Sequence, residues 1–168
     1  MEQRVAKARD VVQLFKDRLR GELAAALKSG PVANAIGTCQ TLAPDLTTQI
    51  SDDSGIELAR VALKLRNPEN APDDWEEKVL QSFQAQALTG ADVAKLEHYE
   101  IITTAEGDKM FRYMRGIPVR EKCLACHGTD VKQDVKAELA RLYPEDKATG
   151  YKLGEMLGAF SLVQLIAE

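Results

Sequence analysis

The sequence predicts an α+β fold: an antiparallel sheet flanked by helices, with a long N-terminal helix and an inserted loop. Three observations carry this. Residues 2 to about 29 place apolar side chains at spacings of three and four. Residues of about 96–118 and 151–166 read as strands with hairpin turns. A cysteine-bearing segment with neither period lies between those two stretches. Helices first, then sheet, loop and sheet again is the order of an α+β domain.

The first element runs from residue 2 to about 29, with Val5, Ala8, Val12, Phe15, Leu19 and Leu23 on one stripe, and Gly30-Pro31 ends it. This near-heptad stripe fits either a dimerisation seam or a helix packing one face on its own domain. A second helix is expected from Val32 to about Thr41, followed by a helical or irregular segment after Pro44. It carries Cys39 among small and apolar neighbours, Ala33, Ala35, Ile36 and Gly37. Ser51-Asp52-Asp53-Ser54-Gly55 reads as a loop. Val61, Leu63 and Leu65 alternate with Ala62, Lys64 and Arg66, which predicts a short strand. A turn-rich connection, residues 67–72, leads to Asp73 or Asp74 as the cap of a helix reaching about Leu88. Its apolar face is Val79, Leu80, Phe83 and Ala87. Leu96–Thr104 and Lys109–Val119 are expected as paired strands around Ala105-Glu106-Gly107-Asp108. Asp130–Leu142 reads as a helix stopped near Pro144. Tyr151–Ile166 reads as a hairpin-like stretch broken by Gly154 and Gly158.

At 168 residues the chain can bury one real core, and 45% hydrophobic with 29% charged residues is ordinary for a globular domain. A net charge of −4 gives no ground for nucleic-acid binding. No stretch approaches the roughly 18 to 20 apolar residues of a membrane span. The start, Met1-Glu2-Gln3-Arg4, lacks the apolar region of a secretory signal.

The segment that names a chemistry is Cys123-Leu124-Ala125-Cys126-His127. C-x-x-C-H is the spacing of a c-type haem attachment site. Two thiols three positions apart each form a thioether to one haem vinyl group, and the adjacent histidine supplies an imidazole to the iron. The competing readings are half of a zinc site, a redox dithiol and a structural disulfide. A zinc site usually brings a second cysteine or histidine pair, whereas here Cys39 and His98 stand alone. A redox dithiol would sit in a βαβ pattern, which is missing around the motif. Covalent haem is generally attached outside the cytoplasm. The haem reading therefore places the protein in the periplasm or another extracytoplasmic compartment, with its export signal or membrane anchor absent from this chain.

His127 takes one axial position of a haem iron. For the other the residues leave Cys39, His98, Met110, Met114 and Met156, or nothing. Methionines on a strand are more often core, a histidine at a strand start is more often surface, and a lone cysteine is usually a small hydrophobe. Against that, iron would depress the Cys39 thiol pKa and stabilise its thiolate. Anionic haem propionates favour Arg or Lys, so Arg60, Lys64, Arg66, Arg112 and Arg115 are candidates.

From about Val32 onward the chain resembles a family of single-haem c-type, PAS-like sensor domains found alone or ahead of histidine kinases. The resemblance is carried by several landmarks in order. First come Cys39 in its Ala/Ile-rich helix, then Arg66-Asn67-Pro68 with Asn70, Pro72 and Trp75-Glu76. After the Cys123–His127 motif come Tyr143-Pro144, Asp146, Ala148, Gly150-Tyr151, Gly154 and Gly158-Ala159-Phe160-Ser161. It implies one covalent haem c, with Cys123 and Cys126 as anchors, His127 as proximal ligand and Cys39 as distal ligand. It also favours Arg66 as the propionate partner. The implied organisation is a helix over 1–30, for dimerisation or linkage, and a PAS-like haem domain over 31–168. A thiolate ligand lowers the reduction potential, which suits an extracytoplasmic redox sensor in signal transduction. The partner would be a redox protein or a histidine kinase, although no kinase or other output segment is present. An electron-transfer cytochrome and a sensor of carbon monoxide or nitric oxide are the alternatives. No paired acid and base near the motif point to an enzyme.

Overall fold

The structure, a computed structural model, describes residues 1–166 apart from the side chains of Asn34, Thr38 and Cys39. Helices α1 (Glu2–Ser29) and α2 (Val32–Ser54) form a hairpin around Gly30-Pro31. Strand β1 (Glu57–Val61) follows, then α3 (Asp74–Leu88), β2 (Glu97–Thr103) and β3 (Lys109–Pro118). The short α4 (Leu124–His127), α5 (Gln133–Leu142) and β4 (Met156–Ile166) complete the chain. The four strands make one antiparallel sheet in the order β1-β4-β3-β2, with Leu58 opposite Leu162, Met114 opposite Ser161 and Tyr99 opposite Tyr113.

Alternation along the strands divides the sheet into two faces. One face, with Leu58, Phe111, Tyr113, Phe160 and Leu162, is sealed by Val5, Ala8, Val12 and Phe15 of α1 and Leu46 and Ile50 of α2. Phe15 is wholly buried, its ring edge-on to Phe160 at 5.7 Å between centroids. The N-terminal stripe is thus spent, over its first four turns, on the chain's own sheet. The other face carries Val61, Met114 and Ala159 under Val79, Leu80 and Phe83 of α3. The N-terminus of α3 is a capping box: Asp73 accepts from the Glu76 amide at 2.8 Å and the Glu76 carboxylate accepts from the Asp73 amide at 2.8 Å. The second Glu76 oxygen accepts from Ser161 Oγ at 2.6 Å and pairs with Arg112 at 3.1 Å, which ties the cap to the sheet.

Three expectations need correction. Helix α2 continues through Pro44 and residues 51–54 rather than breaking there. Ala43, Leu46 and Ile50 are buried, and their packing outweighs the backbone bond that Pro44 cannot make. The first strand is 57–61, not 61–66. After Val61 the chain leaves the sheet, its Ala62 amide bonding the Asn70 carbonyl at 3.1 Å. The stretch after Tyr151 is not a hairpin but a turn at Gly154, φ +85°, and one long strand. Gly158 does not break that strand. A Cβ there would stand 2.5 Å from the Val61 carbonyl oxygen, so the glycine permits the close approach of β1.

No helix among the described residues is long and apolar enough to cross a membrane.

Candidate functional site

The C-x-x-C-H segment hangs from the end of β3. There the register shifts between Ile117 and Pro118, and Val119 pairs with the entrance to β4 through Val119 N to Glu155 O (2.8 Å) and Gly154 N to Val119 O (2.9 Å). Cys123 closes a 3-10 turn and Cys126-His127 end α4. Gly128 must be glycine, because a Cβ would come within 2.5 Å of the Leu124 carbonyl oxygen. Segment 148–151 then runs alongside: Tyr151 N donates to His127 O (2.9 Å) and Gly150 N to Gly128 O (3.0 Å). Cys123 and Cys126 are not joined in a disulfide, and both are partly exposed. Cys123 and Leu124 lie against Val119, Ala148 and Tyr151.

The neighbours of His127 decide its protonation. Burial and the neighbouring Arg66 charge push its pKa down to about 4, so the imidazole is neutral at pH 7. Nδ1 is 2.7 Å from the Ala148 carbonyl oxygen, which can only accept, so Nδ1 carries the proton. Nε2 therefore holds the lone pair, 3.3 Å from Arg66 Nη1, which can only donate. The ring of Tyr151 meets the imidazole edge-on at 6.3 Å, and Lys64 Nζ lies 4.3 Å from the Tyr151 centroid while bonding the Thr149 carbonyl at 2.7 Å.

Arg66 is the hub of this region. It forms a forked pair with Asp146, 3.1 Å at each prong, and donates through Nη2 to the carbonyls of Cys126 (2.6 Å) and Ala148 (3.2 Å). Arg66 and Asp146 side chains are 14% and 10% exposed, so the pair is largely shielded from solvent. Asp146 Oδ1 also accepts from the Ala148 amide at 2.9 Å. Arg66 is thus engaged with the motif's own backbone, with Asp146 and with the histidine. Sequence reading singled out Arg66 but gave no task to Asp146, Ala148 or Tyr151, although all three stood among its landmarks.

Of the other ligand candidates, Met114 is buried beneath α3 with Met156 packed against the same cluster. Met110 lies on β3 between Ile102 and Leu165. His98 is half exposed on β2 beside Trp75 and Glu100. Arg112 is engaged with Asp73 and Glu76, and Arg115 with the Ala94 carbonyl. Cys39 belongs to α2, and its side chain lies outside the described residues. The N-terminal end of α2 does reach the motif: Val32 and Ile36 share a cluster with Cys126 and with Val131, Val135 and Leu139 at and beside α5, and Gln40 Nε2 donates to Leu142 O at 3.4 Å.

The donor set fits a haem c. It provides two thiols outside any disulfide at the attachment spacing, and a neutral imidazole whose Nδ1 proton is committed to a carbonyl, the arrangement that orients a metal-ligating histidine. Among the described residues no group of three or more His, Cys, Asp or Glu converges to hold a metal ion, and the sheet contains no βαβ unit.

A family model described as Tll0287-like (Tll0287) matches residues 1–164 of the chain. A solved structure, the crystal structure of the cyanobacterial heme-protein Tll0287, superposes with a TM-score of 0.74 over 100% of this chain and 98% of that one, at 22% identity. This second likeness is one of fold. No curated protein matches.

Proposed function

The chain belongs to the Tll0287-like family, and on that footing we propose that it is a non-enzymatic c-type haem protein acting as an extracytoplasmic redox sensor. The observation that carries the haem reading is the state of His127: partly buried, neutral and with its Nδ1 proton given to Ala148, it offers Nε2 as a ligand nitrogen. The family resemblance supports the same reading, as does the solved relative, a cyanobacterial heme-protein. Cys123 and Cys126 are the anchors. Each thiol would hold one haem vinyl group as a thioether, sulfur on one carbon and hydrogen on the other, with nothing leaving and no oxidant needed. Bound haem supplies a one-electron ferric/ferrous couple. The Ala148 carbonyl makes His127 a stronger donor by drawing on its Nδ1–H.

Cys39 is our choice for a second iron ligand, because the helix that carries it shares an apolar cluster with Cys126 through Val32 and Ile36. The same helix is seated in the main core through Leu46 and Ile50. A change of ligation at one end of α2 therefore bears on an element that the sheet and α1 hold at the other, which favours sensing over simple electron carriage. A thiolate compensates the charge of ferric iron more than that of ferrous, so by linkage it lowers the potential. Absorption and EPR spectra with potentiometry of wild type and Cys39→Ala test this. The variant is expected to rise by about 60 mV or more, since 59 mV is tenfold in relative affinity for one electron, and to bind carbon monoxide faster when reduced. Unchanged potential and ferric spectrum would make Cys39 a packing residue and remove the sensor reading.

A further inference from the structure

We propose that Arg66 is a guard on the His127 ligand nitrogen: its Nη1–H occupies the single lone pair of Nε2, Asp146 holds it there, and ligation at Nε2 requires Arg66 to let go. This inference rests on the reading of His127 as the iron ligand. A neutral imidazole has one N–H and one in-plane lone pair. Ala148 O demands the proton on Nδ1, and Arg66 demands the lone pair on Nε2. The two demands agree on one tautomer. Moving the proton to Nε2 would set donor against donor at Arg66 and lone pair against carbonyl at Ala148. That lone pair serves one partner at a time, so the arginine bond and a coordination bond exclude each other.

Arg66 is built to give way without leaving. Its bond to Nε2, at 3.3 Å, is the longest of its set. The Asp146 fork and the two carbonyl bonds, between 2.6 and 3.2 Å, do not involve His127's ring. With Nη1 released the guanidinium keeps its counter-charge and its place under Cys126. The consequence is selectivity. A free cation must approach a guanidinium and displace it from a dilute solution. A haem already tethered through Cys123 or Cys126 competes at the high effective concentration of an intramolecular ligand. Arg66 is thus a positioning residue that presets the tautomer and admits a tethered ligand in preference to a free one.

The chain has only two histidines, which makes the test clean. In haem-free protein labelled with nitrogen-15 in histidine, His127 should show protonated Nδ1 and an unprotonated, hydrogen-bonded Nε2. A protonated Nε2, or an Nε2 resonance matching a free lone pair, would overturn the proposal without any variant. Diethyl pyrocarbonate, which acylates the imidazole lone pair, is the second probe. Acylation of His127 should accelerate about tenfold in Arg66→Gln, the scale of one charge-assisted hydrogen bond. Asp146→Asn should show a smaller increase, and exposed His98 in the same molecules should be unaltered. Equal rates at His127 in wild type and both variants would refute the guard. Haem retention is scored separately in protein matured in an export-competent host. Its failure would end the haem reading and leave the Arg66–His127 bond standing, whereas an unguarded Nε2 in a haem-retaining protein would end only this inference.

Discussion

The sheet core and the motif loop are held together by different physics. The core under α1 and α2 is a continuous apolar cluster in which Phe15, Phe111, Tyr113, Phe160 and Leu162 come together from three elements. Any one of them is supported by many others. Segment 119–151 has only two small apolar clusters, one around Val119, Ala148 and Tyr151 and one around Ile36, Val135 and Leu139. What joins them is polar and converges on Arg66, which touches Cys126, His127, Asp146 and Ala148. Area gives redundancy and tolerates variation; a convergent polar hub gives definition and tolerates little. The proposed haem site is built on the second kind of construction.

The contrast predicts distinct failures. Phe15→Ala should cost about 3–5 kcal/mol in urea denaturation, the range for losing a buried aromatic, while leaving the His127 nitrogen resonances of the folded fraction as in wild type. Altered resonances with no loss of stability would erase the distinction. Asp146→Ala should cost less, about 2–3 kcal/mol, somewhat below the range for breaking a fully buried ion pair because this pair keeps some exposure. Its signature should be local: faster amide exchange at Gly150 and Tyr151, whose bonds to Gly128 and His127 hold the motif, with exchange in β3 and β4 unchanged. Global loosening would show that the loop and the core are one cooperative unit.

How much of this could be read in advance follows the same division. The hairpin 105–108, the α3 cap and the C-x-x-C-H motif are local patterns, and all three are where the sequence places them. The α3 capping box needs only Asp73 and Glu76, three residues apart. The misreadings lie where distant chain decides. Pro44 looks like a helix stop until Leu46 and Ile50 are seen against the sheet. Gly158 looks like a breaker until Val61 is beside it. The Arg66 hub is the extreme case, since its partners lie 60 to 82 residues away. Its landmarks were visible and their mutual task was not.

A smaller effect tests how α1 is fastened to the sheet. The Arg9 guanidinium bonds the Glu97 carboxylate, and Tyr113 Oη adds a hydrogen bond at 2.9 Å. Together, with Arg9 the larger influence, they hold the Glu97 pKa below the usual carboxylate range. A folded-state pKa that is depressed means stability fully present above the unfolded value of about 4.3 and lost as pH falls through the folded one. Between pH 6 and pH 3 wild type should therefore lose up to ~1 kcal/mol more than Glu97→Gln, the modest worth of a solvent-screened pair. Equal losses would mean that Arg9 and Glu97 are neighbours without energetic consequence.

The central claim, that Cys123, Cys126 and His127 hold a covalent haem, is tested most directly by acid–acetone extraction of protein matured in an export-competent host. The colour should stay with the denatured wild-type chain and be extracted from Cys123→Ala with Cys126→Ala. Full extraction of haem from wild type, or zinc in place of iron, would contradict the account.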